Sequence, residues 1–363
     1  MSDLTVIIPV LDAGAALDTT LHALTDGASA LDLEWEAIIV DMGSVDDTSD
    51  RLRRWLMRER RVRGCFLTSR SLGDALHRAL GAAAGERVMI VEPGDRIDAD
   101  GVMRTVRTSG DDTRSSLGVV TLDDANGTPV YHMMQDADRC TADDFFDRVD
   151  VPLAGMIIHR PSIGAVMPDP SFHLAADIDW IRRLGEADVR WRCDHNVHVH
   201  RSIGGSMSID AIRQTLHETL RGVHNAYVRQ LASSPERQVF DVSPHRLHAC
   251  LQEHAIRWST RAVLAGATLD DAEALYATGD DHLGLTASTA VVAARHASMM
   301  VFGNPHVGAS EATAAWCARL YAWWTRCEAD GWMEPGEAHR AWLLYTDARH
   351  ASAMRAVVQE RFA

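Results

Sequence analysis

Lysine is absent from this sequence: each of its 36 basic residues is an arginine. Schiff-base chemistry and the phosphate-gripping lysine of a P-loop are therefore excluded, and a kinase-like reading loses its key residue. Positive net charge is missing as well. The 36 basic residues stand against 51 acidic ones, a formal net charge of -15, whereas a DNA or RNA ligand needs a basic surface to neutralise its phosphates. Cys65, Cys140, Cys193, Cys250, Cys317 and Cys327 are far apart, with no CxxC. That spacing argues against a zinc knuckle or a disulfide framework and fits a reducing compartment. No run of about 18 apolar residues marks a membrane span. Met1-Ser2-Asp3 leads straight into a strand-like run, without the basic and apolar segments of a secretory leader. The expected setting is cytoplasmic, with a peripheral position at the inner membrane face as the variant.

What is present describes a folded protein. Hydrophobic residues make up 46% of the chain and charged residues 24%, as in globular domains. A length of 363 residues suits one α/β domain of about 200 residues and a second domain.

Short β-rich runs alternate with helix-period segments through the first hundred residues: Leu4 to Val10, Ala15 to Leu24, Glu36 to Val40, Asp46 to Arg58, Cys65 to Thr68, Asp74 to Ala83 and Arg87 to Val91. Alternation of this kind builds right-handed βαβ units on a mostly parallel sheet. The runs VIIPV, AIIV and VMIV are apolar throughout, as strands covered on both faces should be. Ligands of such sheets sit beyond the carboxyl ends of the strands, so functional residues should follow these runs.

Residues 109 to 150, rich in Asp, Gly, Ser and Thr, read as an insertion or edge strands. A strand over Gly155 to His159, a helix over Leu174 to Leu184 and a strand ending at His200 complete a domain assigned to residues 1–208. From 209 to 363 the segments Ile212 to Leu231, His245 to Leu264, Ala312 to Ala329 and Glu337 to Gln359 are helical in spacing. Trp316, Trp323, Trp324, Trp332 and Trp342 near the end read first as helix-packing anchors, with an acceptor, oligomer or membrane contact as the alternative.

Five blocks carry candidate chemistry. Pro9, Val10 and Asp12 lie at the mouth of the first strand, and Asp41 ends the second, where a carboxylate can accept from a base imide N–H. Ser44 and Asp46 follow, each equally able to cap the next helix. Asp74 opens a helix, and Glu92-Pro93-Gly94-Asp95 ends a strand, readable also as a plain turn. Asp177 lies in the first turn of another helix, where a carboxylate can be a general base or simply favourable to the dipole. His198 and His200 share one strand face, and Arg201 could pair with a phosphate oxygen.

VIIPVLDA followed about 30 residues later by VDMGSVDDT resembles family 2 glycosyltransferases of the GT-A fold, and the later blocks follow the family's order over residues 4 to 208. In place of the usual D-x-D-D the chain has Glu92-Pro93-Gly94-Asp95, close to the N-x-G-D variant. The resemblance implies a Rossmann-like, mostly parallel sheet with flanking helices, followed by a mainly α-helical C-terminal domain. It implies a nucleotide-sugar donor, preferably a UDP-sugar, framed by Pro9, Val10, Asp12, Asp41, Ser44, Asp46, Asp74, Glu92, Gly94, Asp95 and Arg201. It further implies a divalent metal, Mn²⁺ or Mg²⁺, on Asp95 and His200, with Asp177 as the base for an inverting transfer to a saccharide or lipid-linked acceptor. Polysaccharide or glycolipid assembly is the family's commonest setting, and the helical domain would bind acceptor, membrane surface or a second copy. Two rivals are a nucleotidyltransferase, whose Gly-rich basic loop the first block lacks, and a catalytically silent nucleotide-sugar-binding scaffold.

Overall fold

The computed structural model describes residues 2–27, 33–123, 127, 129–134, 141, 145–146, 153–187, 189–202, 207–277, 311–331, 333 and 335–342. The strands are β1 (Leu4–Val10), β2 (Trp35–Asp41), β3 (Val62–Phe66), β4 (Arg87–Ile90), β5 (Arg96–Ile97), β6 (Ser115–Asp123), β7 (Pro129–Met134), β8 (Met156–His159) and β9 (Trp191–Ser202). The helices are α1 (Ala15–Gly27), α2 (Thr48–Arg58), α3 (Leu72–Ala82), α4 (Ala99–Ser109), α5 (Arg160–Ile163), α6 (Ala176–Glu186), α7 (Ile209–Leu231), α8 (Pro244–Leu264), α9 (Leu269–Ala277) and α10 (Glu311–Ala329). The chain divides into two compact units, one of residues 1–121, 132–201 and 232–240, the other of 122–131, 202–231 and 241–363. Residues 122–131 belong to the second unit and 232–240 to the first.

Among the described residues, a nine-stranded sheet runs in the order β3-β2-β1-β4-β8-β6-β9-β5, with β7 beside β6. Pairing is parallel from β3 through β2 and β1 to β4. Where β8 joins β4 and β6, and β9 joins β5, it is antiparallel. The parallel half is the α/β sheet expected from the alternation. All seven residues of β1 are buried, because helices cover both faces of a central strand.

Pro9 sits inside this strand without breaking it. The Val10 carbonyl accepts from Met42 N–H on the β2 side and the Ile7 carbonyl from Val91 N–H on the β4 side. Pro9, two residues after Ile7, therefore faces β4, beyond the last β1–β4 pair, Ile7 with Ile90. Its missing N–H removes no ladder bond there.

The two-residue β5, the helix α4 and the helix α9 were not anticipated, and β3 begins at Val62 rather than Cys65. Burial along β3 is mixed, with Val62 buried and Arg63, Gly64 and Phe66 exposed, so this edge strand lacks the apolar run that marks its neighbours. In the second unit, Trp323 and Trp324 are fully buried among Ile256, Val263 and Leu320, and Trp342 packs against that cluster. These three serve helix packing, while the side chains of Trp316 and Trp332 and most of the expected helix over 337–359 lie outside the described residues.

Gly73, at the start of α3, permits a close approach that positions the site. Its N–H donates to the Phe172 carbonyl and that of Leu72 to the His173 carbonyl, docking α3 on the segment that leads into α6. A Cβ at position 73 would lie 2.1 Å from the Asp169 carbonyl oxygen and 2.7 Å from that of Phe172, both backbone atoms. Gly73→Ala should lower the unfolding free energy by about 1–3 kcal/mol through overpacking. Gly81→Ala in the same helix, where a Cβ meets nothing within 4 Å, should instead stabilise by about 0.5–1 kcal/mol. Urea unfolding of the two variants measures the contrast.

Candidate active site

The carboxyl ends of β1, β2 and β4 open on one side of the sheet, and the first candidate residues follow β1 and β2. Asp41 is only 1% exposed. Its Oδ1 accepts from Ser44 N–H at 2.9 Å and its Oδ2 from the Ser49 hydroxyl, while its own carbonyl accepts from Leu67 N–H at 2.7 Å. Two of its roughly four lone-pair directions are thereby used, leaving acceptor capacity on each oxygen. Asp12 adopts a left-handed φ of 50°, uncommon outside glycine, which Asp tolerates best with Asn. Bonds on both sides hold it: its N–H donates to Ser44 Oγ at 2.9 Å, and its Oδ1 accepts from Val45 N–H at 2.7 Å. The Arg70 guanidinium lies 3.6 Å from Asp12.

Neither Ser44 nor Asp46 is the N-cap of α2. Asp47 is the N-cap and makes no side-chain capping bond, Asp46 accepts from Thr48 N–H at 3.0 Å, and Ser44 is committed to Asp12. Thr48 Oγ1 accepts from both Ala13 N–H and Gly14 N–H at 2.8 Å, locking the loop after β1 to the start of α2.

Glu92-Pro93-Gly94-Asp95 is a tight turn closed by Asp95 N–H on the Glu92 carbonyl at 3.0 Å. Pro93 supplies the first central residue and Gly94, with φ of 93°, the second, a type II pattern. The geometry accounts for the missing carboxylate at position 94, since a side chain there would be strained. Asp95, 2% exposed, returns Oδ2 to Glu92 N–H at 2.8 Å. Thr20 on α1 fastens the same turn through its hydroxyl, which donates to the Asp95 carbonyl at 3.0 Å and accepts from Gly94 N–H at 2.9 Å.

Arg201, at the end of β9, reaches this turn across 106 residues of sequence. Nε donates to Asp95 Oδ1 at 2.9 Å and NH2 to Oδ2 at 2.7 Å, a bidentate pair, while NH1 lies 2.9 Å from Glu92 Oε1. Burial opposes the charge on Arg201, but Glu92, Asp95 and Asp177 outweigh it and hold the guanidinium protonated above the ordinary arginine value. The Glu92 side chain is 60% exposed, so the cluster opens to solvent on that side. His200 pairs with Arg96 in the β5–β9 ladder, and alternation along the strand places it on the face opposite Arg201. The Asp95 carboxylate thus accepts from Arg201 and from Glu92 N–H. Among the described residues no group of three or more His, Cys, Asp or Glu side chains is arranged to hold a metal ion. His198 contacts the His195 carbonyl at 2.7 Å.

Asp177 is half-buried in the first turn of α6, whose N-cap, Ala175, makes no side-chain bond. Burial, then the negative charge of Glu92, pushes its carboxyl up to about 6, with Arg201 working the other way. Glu92 and Arg201 therefore act on Asp177 in opposite senses. Asp179, two residues on, is instead buried against Arg183, which donates to the Met167 carbonyl at 2.7 Å and pins the helix. Asp74, in the first turn of α3, accepts from Ser69 Oγ and from Arg78 Nε, each at 2.8 Å. Although burial opposes them, these partners hold its carboxyl below the usual range.

Sequence reasoning assigned no role to Thr20, Thr48, Ser49 or Arg70. Thr48 stood inside a quoted block, but nothing in that block reveals a bond to a loop 34 residues earlier.

Residues 5–144 match the family model described as Glycosyl transferase family 2. That match supports a glycosyltransferase as the enzyme class. No curated protein sequence matches the chain. Among solved structures, Staphylococcus aureus TarS 1-349 in complex with UDP is similar at 14% identity and a TM-score of 0.45, over 76% of this chain and 88% of that one. A mannosyltransferase from Pyrobaculum calidifontis, solved with GDP-Man and Mn²⁺, is similar at 16% identity and a TM-score of 0.47, over 90% of this chain and 87% of that one. Among the described residues no helix is long and apolar enough to cross a membrane.

Thr48→Val should leave the N–H groups of Ala13 and Gly14 without their partner and destabilise the fold by about 1–3 kcal/mol. Thr48→Ser, which keeps the acceptor, should recover most of the loss in thermal unfolding.

Proposed function

We propose that this chain is an inverting glycosyltransferase that moves a sugar from a nucleotide-sugar donor, preferably a UDP-sugar, to an acceptor hydroxyl in saccharide or glycolipid assembly. The observation that carries the reading is the coupled cluster of Asp177, Glu92, Asp95 and Arg201, in a chain whose residues 5–144 match a glycosyltransferase family. Asp41, with acceptor capacity left, is suited to the base imide, and Pro9, Val10, Asp12, Ser44 and Asp46 frame the nucleoside. Asp74 supports that side of the site from α3. The helical second unit is the proposed source of acceptor or self-association contacts.

Asp177 accepts the proton of the acceptor hydroxyl as its oxygen bonds to the sugar C1 from the face opposite the diphosphate. The C1–oxygen bond to the diphosphate breaks and its electron pair leaves with the nucleotide. Arg201, kept charged by its carboxylate neighbours, is placed to stabilise that departing charge. Glu92 and Asp95 carry the oxygen donors a hard cation takes, but Arg201 already engages both oxygens of Asp95 and one of Glu92, so they could hold a divalent ion only with the guanidinium moved aside. Bound there, Mn²⁺ or Mg²⁺ would neutralise charge on the diphosphate.

The reading is tested by incubation with a panel of UDP-, GDP- and dTDP-sugars. Release of nucleoside diphosphate is expected, fastest from a UDP-sugar. Release of pyrophosphate in sugar-1-phosphate and nucleoside triphosphate mixtures would indicate a nucleotidyltransferase, and donor binding without turnover in the presence of varied acceptors a silent scaffold.

Asp177→Asn should retain donor binding by calorimetry and lose transfer by roughly 10²–10⁴-fold or more. An acid whose folded value is raised is protonated over a wider range, so kcat/KM should fall as pH drops through about 6. Glu92→Gln removes a neighbouring negative charge and should move that acidic limb to lower pH. The same raised value means the folded protein binds the proton more tightly than the unfolded chain, so Asp177 subtracts stability as pH rises from about 4 through 6. Unfolding of wild type and Asp177→Asn across that window measures the difference.

A further inference from the structure

Arg201 occupies the position of charge between the two carboxylates that a divalent cation would need. Its three nitrogens are all committed there, Nε and NH2 to the two oxygens of Asp95 and NH1 to Glu92. Asp95 has little else to offer: it is 2% exposed, and Oδ2 also accepts from Glu92 N–H. Gly94 contributes no side chain, since its φ of 93° keeps the turn. A cation taking Asp95 as a ligand must therefore compete with a guanidinium held bidentately on a buried carboxylate, whose two oxygens Nε and NH2 already occupy.

We propose that Arg201 is an internal competitor for divalent cations, which keeps the Glu92–Asp95 pair closed to free Mn²⁺ or Mg²⁺ in the nucleotide-free protein. The guanidinium is a resident unit charge that balances the buried Asp95 carboxylate, and loss of that charge leaves Asp95 uncompensated, which favours any cation able to replace it. The inference rests on the carboxylate and guanidinium geometry alone and stands whatever the donor or acceptor is found to be.

The test is direct Mn²⁺ binding to the full chain without nucleotide, read by isothermal calorimetry and by the loss of the free-Mn²⁺ electron paramagnetic resonance signal. Arg201→Gln should bind Mn²⁺ at least about tenfold more tightly than wild type, a difference of ~1.4 kcal/mol. Its unfolding temperature should fall in chelator and rise on adding Mn²⁺, while that of wild type barely moves. The double variant Asp95→Asn with Arg201→Gln should lose the gain, which places the ion at this pair. Equal affinity of wild type and Arg201→Gln overturns the proposal, as does a gain that survives in the double variant. Should Arg201→Gln fail to fold, Arg201→Lys replaces the five-donor fork by a single ammonium that holds the pair less well. Mn²⁺ binding to it no tighter than to wild type overturns the proposal equally.

Discussion

The contact between Arg201 and the Glu92–Asp95 turn holds the chemistry of the first unit together. It links the end of β9 to the loop after β4 and places a fixed positive charge beside three carboxylates. A buried Asp95 is tolerated because the guanidinium answers both of its oxygens, and removal of Arg201 would leave that carboxylate buried without its counter-charge. Asp177 responds to the same cluster: burial and Glu92 raise its carboxyl toward neutrality, and Arg201 limits the rise.

Backbone geometry explains why the cluster has this composition. The type II turn favours glycine at position 94, so a carboxylate there is disfavoured by φ rather than by lack of space, the nearest atom to an added Cβ being Ala16 Cβ at 3.6 Å. Thr20 then secures the turn from α1, and Thr48 secures the loop after β1 from α2. Both threonines use one small hydroxyl to hold backbone groups of a neighbouring segment, which gives the strand ends a defined shape where glycine-rich and aspartate-rich loops would otherwise vary.

Much of the first unit was legible from residues alone. The apolar runs of β1, β2 and β4 declared buried parallel strands because helices on both faces leave no polar side, and β1 occupies the expected Leu4–Val10. Residues of the two-residue β5, the mixed edge strand β3 and the helix α4 gave weaker signals, since short or half-exposed elements lack a sustained apolar period. In the second unit the tryptophans marked helix packing, and Trp323 and Trp324 are fully buried. The candidate site divides in the same manner. Asp41, Asp95 and Asp177 stand at ends of elements that the pattern located, whereas the pairing of Arg201 with Asp95 rather than with solvent joins residues 106 apart.

Local sequence thus determined where strands end and which carboxylates follow them, because periodicity and turn chemistry act over a few residues. It determined the Pro93-Gly94 turn for the same reason. Only the tertiary structure decided which of those groups meet. Strand alternation turned Arg201 toward the turn and His200 to the other face, and burial raises the carboxyl of Asp177 above its ordinary value. Charge interaction depends on distance and dielectric, and neither is encoded at any single position of the chain.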